Sequence, residues 1–301
     1  MSGARARATG RGAAVAAAAW VLLASGYSSS ASAQQKARIV TLGASVTETV
    51  VALGLGELIV GADRSSNPFA PASATRLDFF RNTSAEGVLT LRPTFVLAID
   101  GSGPPAAFEQ LGSAGVLVHT LLPATDAASA GARIRAIAKA LGVAGAGATL
   151  AGRVEQEAIE AAGIARSATS VPRVLAIYAR GTGTLFVSGT GTPMDAMLRL
   201  ANARNAVTAF SDFRPLTPEA VIAAAPDYIL LPERGLASIG GVAGVLAIPG
   251  IAQTPAGRQR AIVTVDDHLL LGFGPRLGEG IRRLTAALHP ELASRLAQMS
   301  K

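Results

Sequence analysis

Apolar residues fall along this chain in two alternating rhythms. Short runs rich in β-branched residues, ended by glycine or proline, are strand-like; longer segments with apolar positions three and four apart are helix-like. Residues 38–42 form the first short run and stop at Gly43, and residues 46–53 follow with helical spacing and close on Gly54. Runs at 58–62, 94–99 and 116–120 give three more strands. Residues 125–141 read as a helix, with Asp126 near its start as a cap and Gly142 past its end as a stop. A longer helical stretch, 146–168, carries Leu150, Val154, Ala158, Ala161 and Ala165 on one side and Arg153, Glu155, Gln156 and Glu160 on the other. After Pro172 the alternation restarts, with strands at 174–178, 229–231 and 261–265, helices at 193–201 and 277–288, and a short helix at the end. Strand–helix alternation predicts an α/β fold with parallel sheets. Its interruption by one long helix predicts two Rossmann-like lobes: residues 34–142, a connecting helix at 143–171, and residues 172–301.

The two halves echo one another. Ser84-Ala85-Glu86-Gly87-Val88 precedes Pro93-Thr94-Phe95-Val96-Leu97, and Thr217-Pro218-Glu219-Ala220-Val221 precedes Pro226-Asp227-Tyr228-Ile229-Leu230. The spacing from glutamate to proline is seven residues in both. Each unit predicts a hydroxyl-capped helix with an acidic first turn that feeds a buried strand. The repeat predicts equivalent lobes.

Composition at first complicates this picture. Half of the residues are hydrophobic, 16% are charged, and the mean hydropathy is +0.39, against a charged share of roughly 25% in ordinary soluble domains. A membrane span needs roughly 20 consecutive apolar residues, and no such run lies beyond the first 35 positions. The excess is mostly alanine, mixed with Arg, Glu and Asp. At the start, Arg5, Arg7 and Arg11 precede an uncharged apolar stretch from 13 to 24, a small polar stretch, and Ala31-Ser32-Ala33. These three zones are those of a secretory signal peptide. Residues 1–33 are therefore expected to be removed, with the mature chain starting near Gln34 outside the cytoplasm and without a lipid-bearing cysteine at the cleavage site. Removal takes three arginines and no acid, so the formal charge drops from +7 to +4. Without a basic run interleaved with aromatics, nucleic acid is not an expected partner.

Catalytic chemistry finds few candidates. The absence of cysteine excludes disulfides, thiolate metal sites and cysteine nucleophiles. Gly-x-Ser-x-Gly is missing, and the glycines at 181, 183, 189 and 191 match neither a dinucleotide nor a phosphate-binding loop; a hairpin or mobile loop fits them better. His119 lies in a strand run, where a core or strand-end role is ordinary. His289 ends a helix, where a charge-complementing cap is ordinary. His268 follows Asp266 and Asp267, but three adjacent residues rarely aim at one ion. An exported α/β enzyme is thus the remote reading and a binding protein the main one.

The segment from Arg38 to Gly43 with Thr47 and Glu48, followed by Ser84-Ala85-Glu86-Gly87-Val88-Leu89, resembles the metal-chelate class of periplasmic binding proteins of ABC importers. That class carries haem, corrinoids or ferric siderophores between two lobes joined by a single helix, the class III architecture. The segments Asp195–Ala201 and Leu271-Gly272-Phe273-Gly274-Pro275-Arg276 resemble its haemin-binding branch. The likeness runs over nearly the whole mature chain. It implies a periplasmic monomer without a resident cofactor that binds haemin as transported cargo and delivers it to a permease and its ATPase. Vitamin B12 or a ferric siderophore is the alternative cargo.

The resemblance also assigns residues. The haemin branch usually places an iron-ligating Tyr two positions before an Arg ahead of Ser-Ala-Glu-Gly; here those positions are Phe79 and Arg81. A phenyl ring offers an apolar face but no lone pair to iron. Three outcomes follow: haem binds through stacking and propionate–arginine pairs alone, a ligand from the other lobe such as Tyr178 or His268 substitutes, or the cargo is a different large planar or chelated molecule. Arg81, Arg180, Arg234 and Arg276 follow predicted strands or line turns near the cleft, and a guanidinium pairs with carboxylates through two parallel hydrogen bonds. Glu86 and Glu219 occupy matching places in the two lobes, and the resemblance implies that each docks onto arginines of the permease.

Overall fold

The computed structural model describes residues 37–183 and 185–299; the expected signal peptide lies outside them. Residues 36–301 form one compact unit. β1 (Ile39–Leu42) is buried at every position and sits mid-sheet, as an unbroken apolar run should in a parallel sheet covered on both faces. α1 (Ala44–Ala52) leads to β2 (Ile59–Ala62), the two-residue β3 (Thr75–Arg76), and the short α2 (Ala85–Leu89). β4 (Phe95–Ile99), α3 (Pro105–Ser113) and β5 (Leu117–Leu121) complete a parallel sheet of order β3-β2-β1-β4-β5. β5 is the edge strand; only its last residue is buried.

α4 (Ala127–Ala140) is opened by Asp126, whose side chain accepts from the Ser129 amide at 2.7 Å while Ser129 Oγ accepts from the Asp126 amide at 3.1 Å. Such reciprocal capping contributes about 1 kcal/mol. Gly142, at φ +75°, makes the left-handed turn that ends the helix. α5 (Ala144–Ala165) then runs for 22 residues and packs on α4.

The second sheet is built on β6 (Arg173–Ala179). β7 (Leu185–Ser188), α6 (Pro193–Leu200), β8 (Arg204–Asn205), β9 (Phe213–Pro215), α7 (Pro218–Ala224) and β10 (Tyr228–Pro232) follow. α8 (Glu233–Ser238), α9 (Gly241–Ala247), α10 (Pro255–Gln259), β11 (Ile262–Val265) and α11 (Asp267–Leu271) come next, with α12 (Leu277–Leu288) and α13 (Ala293–Gln298) at the end. β6 is flanked in parallel by β10 and β8, and β11 lies beyond β10. The order β8-β6-β10-β11 thus repeats β2-β1-β4-β5, and the echoed units deliver β4 and β10 to equivalent places. What has no counterpart in the first lobe is the antiparallel β6–β7 hairpin extended by β9. The glycine-rich segment expected as a hairpin or mobile loop is this hairpin, turning at Gly181 with φ +77°.

One large core cluster draws on α4, α5, β6, α6, β10 and α12, so the long helix shares its buried face with elements of both halves. α5 approaches its neighbours through glycines. A Cβ on Gly147 would lie 2.1 Å from Ala138 Cβ on α4, and one on Gly278 of α12 would lie 2.8 Å from Glu157 Cβ. His289 takes the C-cap position of α12, as expected of a helix-end residue, and is fully buried there, with Nε2 3.0 Å from the Ala201 carbonyl oxygen, so it also anchors α12 to α6. His119 lies half-buried on the edge strand, its ring stacked on Phe95 at 6.0 Å between centroids.

Candidate functional site

In parallel α/β sheets the loops at the carboxyl ends of the strands form the binding edge, and the two lobes meet through loops of this kind. On the first lobe these loops carry Gly43, Asp63 to Phe69, Phe79 to Arg81, and Asp100 to Gly103. On the second they carry Tyr178 to Gly181, Arg234, and Asp266 to His268. Two groups of contacts cross between the lobes.

The first group surrounds Phe79. Phe79 and Phe80 are both half-buried, with centroids 4.4 Å apart. The Arg81 guanidinium lies 5.1 Å from the Phe80 ring and donates to the Gly101 carbonyl oxygen at 3.3 Å. From the other lobe, the Arg180 guanidinium stands 5.4 Å from the Phe79 ring and 5.3 Å from the Tyr178 ring, and its Nε donates to Tyr178 Oη. Tyr178 leans on Phe213 at 5.7 Å, a contact supplied by the added hairpin. The Gly181 amide donates to Ser238 Oγ at 2.9 Å, which fixes the turn after Arg180. Phe79, Arg81, Tyr178 and Arg180, four of the six ligand-binding candidates from the sequence, therefore gather around one cross-lobe contact. Arg234 is exposed after β10, with its backbone amide held by Asp267 Oδ2 at 3.0 Å.

The second group is a clasp. Arg276 Nε donates to Glu48 Oε1 at 2.5 Å, and its guanidinium lies 5.1 Å from the Phe69 ring. His268 Nε2 is 3.0 Å from the Ser65 carbonyl oxygen, and its ring meets the edge of Phe69 at 5.1 Å. Asp266 caps α11 by accepting from the amides of His268 and Leu269. From α4, Arg133 donates to the Gly272 and Phe273 carbonyl oxygens at 2.7 and 2.6 Å. Phe273 sits at φ +50°, a strained conformation for a bulky residue, held here by its burial and by Arg133. Arg276 and His268 are thus engaged within the protein. Of the two second-lobe candidates, Tyr178 is the one linked to Phe79, through Arg180, whereas His268 is held against Ser65 and Phe69.

Burial pushes the Glu48 carboxyl above the usual carboxylate range, with the Arg276 hydrogen bond and charge pulling the other way. Burial also depresses Arg276, but its bond and attraction to Glu48 outweigh that and raise it. The two shifts agree once exposure is considered: Glu48 is nearly buried and bears the desolvation cost, whereas Arg276 is only partly covered. Burial lowers Arg133 to about 10, with Glu48 opposing the drop; it remains a cation at neutral pH, with Nε lacking a partner.

Glu86 and Glu219 are exposed in the first turns of α2 and α7. Ser84 Oγ accepts from the Gly87 amide at 3.4 Å and Thr217 Oγ1 from the Ala220 amide at 3.3 Å, the same cap in each lobe. A surface depression of about 660 Å³ lies elsewhere, between α5, α12 and α13. Its Glu157 and Glu279 pair with Arg153 and Arg283 of their own helices, and it carries no aromatic ring, so the cross-lobe group is the better candidate. Among the described residues, no set of three or more His, Cys, Asp or Glu converges to hold a metal ion, and no helix is long and apolar enough to cross a membrane. The residues missed by sequence reasoning were Phe69 and Asp63: neither sits in a recognisable motif, and their partners lie far along the chain.

Two parallel α/β lobes, spanned by one long helix and facing each other through strand-end loops, define a class III bilobed binding protein. The family model described as periplasmic binding protein matches residues 39–269, and the chain belongs to that family. Among solved structures, the chain is similar to the periplasmic heme-binding protein RhuT from Roseiflexus sp. RS-1, with 42% identity, a TM-score of 0.82, and coverage of 85% of this chain and 98% of that one. It is also similar to the periplasmic heme-binding protein HutB of Vibrio cholerae, with 30% identity, a TM-score of 0.75, and coverage of 85% and 100%. An uncharacterized ABC transporter substrate-binding lipoprotein of Bacillus subtilis, YvrC, is 26% identical over 84% of this chain and 80% of its own length. A vitamin B12-binding protein of Photorhabdus laumondii is 32% identical, but over only 29% of this chain and 32% of its own.

Proposed function

We propose that this chain is the periplasmic solute receptor of an ABC importer and that its cargo is haemin, held between the lobes. The observation carrying the reading is the contact of Phe79 on one lobe with Arg180 on the other, whose guanidinium is shared with Tyr178. A flat apolar macrocycle stacks on an aromatic face, and its carboxylates pair with guanidiniums; Phe79 supplies the face, and Arg180, Arg81 and the exposed Arg234 supply the cations. Tyr178 supplies the oxygen ligand to iron that Phe79 lacks, its Oη positioned by the hydrogen bond from Arg180 Nε. Arg276 is assigned to the clasp with Glu48 instead of to cargo. The long, nearly full-length likeness to heme-binding proteins favours haemin over a corrinoid, for which the likeness is confined to under a third of the chain.

In this reading residues 1–33 direct export, residues 34–142 and 172–301 form the lobes on either side of the helix segment 143–171, and the protein works as a monomer without catalysis. Glu86 and Glu219 dock onto arginines of the permease, and the partner ATPase supplies the energy. The test is a titration of the purified protein with haemin, cobalamin and a ferric siderophore, following the Soret band and the melting temperature. Haemin is expected to give a saturable Soret shift and to raise the melting temperature. A response to cobalamin or siderophore alone would overturn the cargo assignment.

A further inference from the structure

Asp63 follows β2 and is completely buried, yet among the described residues no cation forms an ion pair with it. Four donors compensate its charge. Oδ1 accepts from the Gly43 amide at 2.8 Å and Ser66 Oγ at 2.7 Å; Oδ2 accepts from the Ser65 amide at 2.9 Å and the Phe80 amide at 3.3 Å. Thr47 Oγ1 lies 2.7 Å from both Ser66 Oγ and Thr41 Oγ1, extending the network under α1. One carboxylate thereby ties together the loops after β1, β2 and β3. Two of its four partners lead directly to the candidate site. Phe80 belongs to the loop that carries Phe79 and Arg81, and Ser65 presents the carbonyl oxygen that meets His268 of the other lobe.

We infer that Asp63 is a positioning residue for cargo binding: it sets the Phe79–Arg81 loop and the Ser65–His268 contact from a single buried point. The inference rests on the proposed site for its functional half. A buried carboxylate is costly unless hydrogen-bonded, so the arrangement holds only while all four donors stay in place; this makes the loop rigid without any packing of its exposed residues. Asp63→Ala tests this, because it removes both acceptor oxygens and so releases the Phe80 and Ser65 amides together.

The experiment combines amide hydrogen exchange with haemin titration, on the full protein. In the wild type, the Phe80 and Ser65 amides are expected to be protected well beyond exposed loop amides. In Asp63→Ala, protection at Phe80 is expected to fall while Val96 and Leu97 of the sheet keep theirs, and haemin affinity is expected to fall roughly tenfold or more, the scale of a lost hydrogen bond to a charged group. Ser66→Ala, which weakens the same cluster on its Oδ1 side, is expected to lower the melting temperature without loosening Phe80; this separates positioning from general destabilisation. Fast exchange of Phe80 in the wild type would overturn the inference, even if the variant fails to fold. So would unchanged Phe80 protection or unchanged affinity in a folded Asp63→Ala protein. If the wild type binds no haemin, the proposed cargo fails, while the exchange arm still decides the role of Asp63.

Discussion

Phe79 is where one atom separates two chemistries. Its ring gives cargo an apolar face, but an oxygen on that ring would give iron an anionic ligand from the first lobe. With cargo bound as proposed, Phe79→Tyr should tighten haemin binding by about tenfold, roughly 1.4 kcal/mol, and introduce a phenolate-to-iron band in the visible spectrum. An unchanged spectrum would mean that position 79 does not face the iron. Glu48 permits a second residue-scale prediction, concerning pH. Burial raises its carboxyl pKa in the folded state, so the fold takes up a proton before the unfolded chain does. This group's contribution to stability is therefore fully present below the unfolded pKa and is lost as pH rises through the folded one. Melting temperatures of wild type and Glu48→Gln between pH 7 and 4 should show the wild type gaining on the variant as pH falls; a constant difference would refute the shift.

Among the elements, α5 matters most, because it is long and its neighbours approach it closely. Gly147 permits the approach to α4: an added Cβ would fall 2.1 Å from Ala138 Cβ, a short side chain that has no flexible end to move aside. Alanine's better helix propensity offers up to about 1 kcal/mol, but overpacking such a seam costs about 1–3 kcal/mol. Gly147→Ala should therefore destabilise the protein despite the propensity gain, visible as a melting temperature several degrees lower. Heptad-like alanines were legible in the sequence. The need for glycine at 147 was not, because it is set by the distance between two helix axes.

For the whole molecule, the consequence of one helix and a buried clasp is limited relative motion. Arg133, Glu48, Arg276 and His268 join the lobes, and hinge motions need a few freely turning residues. In the proposed reading Glu86 and Glu219, exposed in matching first turns, are the paired charges offered to the permease, and such charges set orientation and encounter rate more than affinity for cargo. Reversing both, as Glu86→Lys with Glu219→Lys, should lower cargo uptake by cells by on the order of tenfold and leave haemin affinity unchanged. Undiminished uptake would remove them from the docking surface.

How much of this was written in the chain depends on the range of the interactions. Strands β1, β4, β6 and β10, the capped helices and the echo between Glu86 and Glu219 follow from local patterning, because period, caps and turn glycines act over a few residues. The short strands β3, β8 and β9 carry too few residues to show a period, and pairing with neighbours alone makes them strands. The candidate site divides the same way. Its residue types were legible: Phe79 where a tyrosine is usual, Arg81 nearby, Tyr178 two positions before Arg180. That Arg180 reaches across to Phe79, that Arg276 and His268 are spent on holding the lobes together, and that Asp63 reaches the Phe80 loop are matters of residues 17 to 228 positions apart meeting in space. The sequence by itself determined two α/β lobes, one helix between them and an aromatic, arginine-rich edge; only the tertiary structure decided which of those arginines remain free for cargo, because burial and partner geometry have no signature along the chain.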